Sequence, residues 1–305
     1  MQYSKQLVGP YISEKYPELF PLDVWLDDGY FPKPAPAERT SMPIHNHPDT
    51  DYVKRNFNEP LGRYETYYIA EAYEGANNWL GYKENCNLEE WERKCRKSNN
   101  LEEIPNWKDY ICNWDSYVGL LYLIPPGTVH GHGGNQMVLE MDTCPSIAGT
   151  EYSFFLYDFA RNSWNDSTKT MTAKPLKMNL GHGFNNEKWR RENWVKDNLI
   201  AKPKVTEWTK EYCKEQYSSV SEMPFEIERF HFYKKAYNNT EKKFMHIVTL
   251  TVGERIKIRS KVNIELETEI ELFQSAVIPA AFGEYEFVNM NGGQCTVVQL
   301  RWKKG

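Results

Sequence analysis

The chain has 305 residues, 40% hydrophobic and 26% charged, a balance that builds one large or two ordinary globular domains and excludes a disordered chain. With 37 Lys and Arg against 42 Asp and Glu, the net charge of −5 lacks the basic field that nucleic acid or an anionic membrane would need. Aromatic residues, at 14%, favour β-rich structure.

The opening Met1-Gln2-Tyr3-Ser4-Lys5-Gln6-Leu7-Val8 lacks the apolar stretch of a secretion signal, and no later run reaches membrane length, so a cytoplasmic protein without a membrane partner is expected. Residues 1–60 are rich in proline, which predicts loops and short strands rather than long helices. The β-formers of 63–72 predict a strand. A polar helix follows at about 87–97, with Asn87 as cap and Glu89 and Glu90 in the first turn. Short apolar strands are predicted over 118–124, 136–141 and 152–159, separated by Pro/Gly turns. From 185, the spacing of Trp189, Trp194 and Val195 predicts a helix, and 206–217 reads as a second helix beyond Pro203. After Pro224 the pattern returns to strands at 225–232, 244–252, 255–259, 263–272, 276–279, 285–288 and 295–302. Such regular spacing predicts a barrel or sandwich. Cys86, Cys95, Cys112, Cys144, Cys213 and Cys295 are scattered without a CxxC and read as free thiols.

Histidines are few, yet four fall in two short segments. In Ile44-His45-Asn46-His47-Pro48-Asp49 an extended chain projects residues two apart to the same side, so His45 and His47 can share one ion. Glu65 sits in the aromatic strand. Facing inward it needs a partner, for which a cation serves; facing outward it is an ordinary strand residue. In Ile124-Pro125-Pro126-Gly127-Thr128-Val129-His130-Gly131-His132 a strand enters a Pro-Gly turn that aims His130, while His132 lies past the turn, where it is an ordinary hydrogen-bonding histidine or one that supports a ligand or contacts substrate. Three imidazoles and a carboxylate suit zinc, manganese, iron, cobalt or nickel.

Gly-x5-Pro-x-Gly-x2-His at 119–130, preceded by His-x-His and a glutamate, resembles the signature of the cupins, small β-barrels with a metal inside. Ile44-His45-Asn46-His47-Pro48-Asp49-Thr50-Asp51-Tyr52 is similar to the Ile-Gln-Val-His-Pro-Asp-Asp-Glu-Tyr of type I mannose-6-phosphate isomerases, and Arg63-Tyr64-Glu65-Thr66-Tyr67-Tyr68-Ile69 to their Lys-Thr-Glu-Cys-Trp-Tyr-Ile. Ile124-Pro125-Pro126-Gly127-Thr128-Val129-His130 with Val138-Leu139-Glu140-Met141, the Tyr157-Asp158-Phe159-Ala160-Arg161 block, and Ala276-Val277-Ile278-Pro279-Ala280 resemble further blocks of the same enzymes.

The resemblance implies a mainly β fold of two cupin-type barrels: a metal-binding barrel over 1–165, a helical linker over 166–222 and a degenerate, metal-free barrel over 223–305. It implies His45 (where the family has Gln), His47, Glu65 and His130 as metal ligands, with zinc the first choice among divalent ions. Arg161 and Arg63 then hold the substrate or stabilise oxyanion charge, and His132, Asp158 or Glu65 moves the proton. The activity it implies is aldose–ketose isomerisation of mannose 6-phosphate and fructose 6-phosphate or a related sugar; the family's serine two places before its Gln is Pro43 here, which leaves a non-phosphorylated sugar open. A metallo-cupin dioxygenase and a non-catalytic sugar-binding cupin are the alternatives.

Overall fold

Short strands alternating with turns dominate the chain, as its β-branched and aromatic composition requires, and the fold is mainly β in several antiparallel sheets. The computed structural model describes residues 3–28, 42–99, 102–143, 152–159, 164–165, 167–168, 170–171 and 175–303. Two compact units emerge, one of residues 25–200 and one of residues 1–24 with 201–305. This differs from the expected divisions at 165 and 222: the amino-terminal residues group with the last third of the chain.

In the unit of residues 25–200 the strand Glu65–Ala72 lies between Gln136–Thr143 and Leu121–Ile124, antiparallel to both. A second sheet runs in the order Ile111–Asp115, Asn77–Tyr82, His130–His132, Ile44–Asn46, Phe154–Tyr157. The first six residues of Glu65–Ala72 are buried, which the alternation of Glu65, Tyr67 and Ile69 with Thr66, Tyr68 and Ala70 makes possible on two covered faces. The helix Leu88–Ser98 forms where expected. Asn87 accepts a hydrogen bond from the Glu90 amide at 2.9 Å, Arg96 and Lys97 occupy the last turn, and Asn99 ends it in the left-handed conformation. Its buried face presents Trp91 and Cys95, one turn apart, to Tyr82, Trp107, Tyr110, Ile111 and Tyr157.

The unit of residues 1–24 and 201–305 has a six-stranded and a four-stranded sheet around Phe230, Phe232, Val248, Leu250, Phe287 and Val297. Here the helix expected over 206–217 is a β-hairpin, Pro203–Trp208 paired with Tyr212–Tyr217. Thr209 makes the turn, its amide donating to the Tyr212 carbonyl and its hydroxyl accepting from the Glu211 and Tyr212 amides. Pairing of Tyr212–Tyr217 with Phe225–Phe232 then outweighs the helix propensity of the Glu and Lys residues. The linker's helical part reduces to Leu180–Asn186 and Glu192–Asn198, interrupted where Trp189 takes a φ of 53°. Among the described residues no helix is long and apolar enough to cross a membrane.

Candidate metal centre

Strand alternation sets the site. His45 and His47 turn to one side, whereas the intervening Asn46 turns to the other and donates to the Gly183 carbonyl at 3.0 Å and to Glu187 at 2.8 Å. His130 opposes His45 in register on the neighbouring strand. It follows the turn Pro125-Pro126-Gly127, closed by Thr128 donating to the Pro125 carbonyl at 2.6 Å, with Gly127 at a φ of 72°. Glu65 reaches the same place from the other sheet. The ring centroids of the three histidines lie 4.1–5.0 Å apart, and each residue is at most 1% exposed.

Each ring uses Nδ1 on a backbone carbonyl: His45 on Pro43 at 2.6 Å, His47 on Tyr152 at 3.1 Å and His130 on Thr128 at 2.8 Å. A carbonyl only accepts, so Nδ1 carries the proton and a neutral ring leaves a lone pair on Nε2. Burial and the neighbouring His130 and His47 hold His45 well below the usual histidine value. Burial also lowers His47, to about 4, against the pull of Glu65. Yet His47 Nε2 is 3.1 Å and His130 Nε2 2.9 Å from the same carboxylate oxygen, Glu65 Oε2, and His130 Nε2 makes no hydrogen bond of proper geometry. Lone pairs aimed at a carboxylate oxygen repel unless a cation lies among them, and about 3 Å is the separation of neighbouring donors on one divalent ion. The donor nitrogens of His45, His47 and His130 lie within 4.8 Å of one another, as do oxygens of Glu65, Glu140 and Asp142. The three histidines with Glu65 fit a divalent ion.

The acidic side is held by Arg63. Its guanidinium lies 3.0 Å from Glu65, 2.5 Å from Glu140 and 3.0 Å from Asp142, and these carboxylates hold it charged despite burial. Burial would raise Glu65, but the Arg63 guanidinium beside it helps pull its carboxyl well below the usual range. Burial and the charge of Glu65 push Glu140 well above that range, against the pull of Arg63. Glu140 and Asp142 escaped the sequence reading as site residues. The signal was present, because they stand two apart between Leu139, Met141 and Thr143 on one buried strand and so share the face that Glu65 meets in register.

Of the other expected residues, His132 lies on the face of His130, with its ring 5.8 Å edge-on to Tyr67 and Nδ1 3.2 Å from the Gly133 carbonyl; it stands outside the converging donors. Asp158 accepts from the Leu176 amide at 2.9 Å, tying two segments together. Arg161 lies outside the described residues, as does Cys144. The described cysteines are free thiols.

No protein-family model matches the chain, and no curated protein matches it by sequence. Among solved structures, mannose 6-phosphate isomerase from Bacillus subtilis superposes with a TM-score of 0.66 at 15% identity, covering 95% of this chain and 80% of that one. A mutant of phosphomannose isomerase from Salmonella typhimurium gives a TM-score of 0.66 at 10% identity over 98% of this chain and 83% of that one. The chain has the fold of the mannose-6-phosphate isomerases. That fold is the cupin type the sequence motifs led one to expect. At these identities the likeness is one of fold, and the chemistry rests on the side chains.

Proposed function

We propose that this chain is a metal-dependent aldose–ketose isomerase, acting on mannose 6-phosphate and fructose 6-phosphate or performing the same reaction on a related sugar. The observation that carries the proposal is the convergence of three imidazoles, two of them against the Glu65 carboxylate, inside the fold of enzymes whose names record that reaction. His45, His47, Glu65 and His130 would hold the ion. Zinc is the first choice, with manganese, iron, cobalt and nickel compatible with the added imidazole.

Isomerisation moves a proton between C2 and C1 while charge collects on oxygen. A divalent ion held by His45, His47, Glu65 and His130 would supply positive charge that makes this oxyanion less costly. Arg63, always charged, fixes the orientation of Glu65 and offsets part of the acidic cluster. Glu65, His132 and Asp158, with the buried carboxyl of Glu140 beside Arg63, are the groups from which the proton carrier the reaction needs would come. Arg161 is proposed to bind substrate.

The test is an NMR time course with mannose 6-phosphate, fructose 6-phosphate, free mannose, fructose and lyxose, on protein as purified, stripped and reloaded. Interconversion of one aldose–ketose pair that disappears on stripping and returns on reloading is expected. Full turnover by a verified metal-free sample sinks the proposal. Three histidines and a glutamate also suit iron with an open position for oxygen, so oxygen uptake is recorded in parallel; uptake without isomerisation selects the dioxygenase reading.

A further inference from the structure

The ligand-bearing segments meet a third segment from outside. The chain from Asn186 to Arg190, between the helices Leu180–Asn186 and Glu192–Asn198, touches both of them. Toward the His45–His47 arm, Asn186 Nδ2 donates to the His47 carbonyl, Asn186 Oδ1 accepts from the Asp49 amide at 3.4 Å, and Glu187 accepts from Asn46 at 2.8 Å. Toward the turn before His130, the Lys188 amide donates to the Gly127 carbonyl at 2.9 Å. Arg190 donates to the carbonyls of Pro125 at 3.1 Å and Pro126 at 3.0 Å, and to the Thr128 hydroxyl. Thr128 is the residue whose carbonyl takes the Nδ1 proton of His130. The two arms also bond to each other, Gly127 donating to the His47 carbonyl at 2.8 Å.

This is more hydrogen bonding than a connection between two helices of seven residues requires, and it falls at once on the segments that carry His45, His47 and His130. Glu187 and Arg190 are buried, at 8% and 9% exposure. Their polar groups were therefore taken out of water to be spent on these partners. Neither belongs to the groups whose donor atoms converge. We propose that the strap Asn186–Arg190 positions the metal ligands, Arg190 fixing the orientation of His130 through the 125–128 turn, and Glu187 with Asn186 fixing His45 and His47 through Asn46 and the His47 carbonyl. Arg190, Glu187 and Asn186 are positioning residues in this account. They act through the groups that hold the imidazoles, and the proposal rests on reading His45, His47, Glu65 and His130 as ligands.

The test uses cobalt(II), whose absorption reports donor number and geometry, on the metal-free full chain. Affinity is measured by competition with a chelator for the wild type, Arg190→Lys, Arg190→Ala, Glu187→Gln and two controls. Arg190→Lys keeps the charge but cannot span both proline carbonyls and the hydroxyl. Val195→Ala, in the same segment of chain but packed against Gly81, is the control for simple destabilisation. His130→Ala is the control for the ligand reading. The expected result is a wild-type spectrum lost in His130→Ala and a cobalt Kd raised about ten- to hundredfold, with a changed spectrum, in Arg190→Lys and Glu187→Gln. Val195→Ala melts earlier with Kd and spectrum unchanged. If Arg190→Ala does not fold, Arg190→Lys and Glu187→Gln decide. Wild-type affinity and spectrum in both of those, as folded proteins, overturn the strap; a wild type that binds no cobalt overturns the ligand reading instead.

Discussion

Glu187 stands where its protonation can be read in stability. Burial pushes it up to about 7 from the usual glutamate value near 4.5, against the opposing pull of Asn46, the Trp189 amide, Tyr82 and Arg190. The folded chain therefore keeps a proton between about pH 4.5 and 7 that the unfolded chain has released. Stability from this group is fully present below the unfolded value and falls as pH rises through that window. Relative to Glu187→Gln, which cannot titrate, the wild type should lose a few kcal/mol between about pH 4.5 and 8, measured as paired urea unfolding curves in chelator. A constant difference across that range contradicts the assignment. At this scale the grouping of His45, His47 and His130 was legible, because His-x-His and a histidine after a Pro-Gly turn leave little freedom of direction. Glu140 and Asp142 were not, since two acidic residues in an apolar strand read equally well as solvated until Arg63 is seen between them.

Elements were legible where local chemistry agreed with tertiary demand. The helix Leu88–Ser98 is an example, its cap, charged ends and buried Trp91 all pointing one way. Asn87→Ala should cost about 1 kcal/mol in unfolding free energy by removing the acceptor for the Glu90 amide, and Asn87→Ser should restore most of it. The 206–217 hairpin was illegible because its Lys and Glu residues favour a helix, and only the unpaired edge of Phe225–Phe232 makes a strand the better choice. The turn ahead of His130 depends on Gly127. Its φ of 72° and a Cβ that would meet the Asn186 carbonyl oxygen at 2.4 Å make Gly127→Ala expensive, about 2 kcal/mol or more, with weakened metal retention in the same protein. An alanine variant as stable as the wild type would remove the close approach of strap and turn from the account.

For the whole molecule, the β content could be read from strand spacing, but the partner of the amino terminus could not, because nothing in residues 1–24 names the strands they meet. Gly9 shows the consequence. At a φ of 94°, its missing Cβ would lie 1.8 Å from the Lys243 carbonyl oxygen, and Tyr16 packs edge-on against Trp302 at 5.9 Å. Gly9→Ala should destabilise the unit of residues 1–24 and 201–305 by about 2 kcal/mol or more, seen as a lower urea midpoint at unchanged metal affinity. The central claim concerns the other unit: His45, His47, Glu65 and His130 clasp one divalent ion. Elemental analysis of the wild type, His47→Ala and His130→Ala, each folded by circular dichroism and exposed to the same metals, tests it most directly. The account predicts about one ion per chain in the wild type and almost none in either variant; a wild type that retains no ion, or variants that keep their full complement, would contradict it.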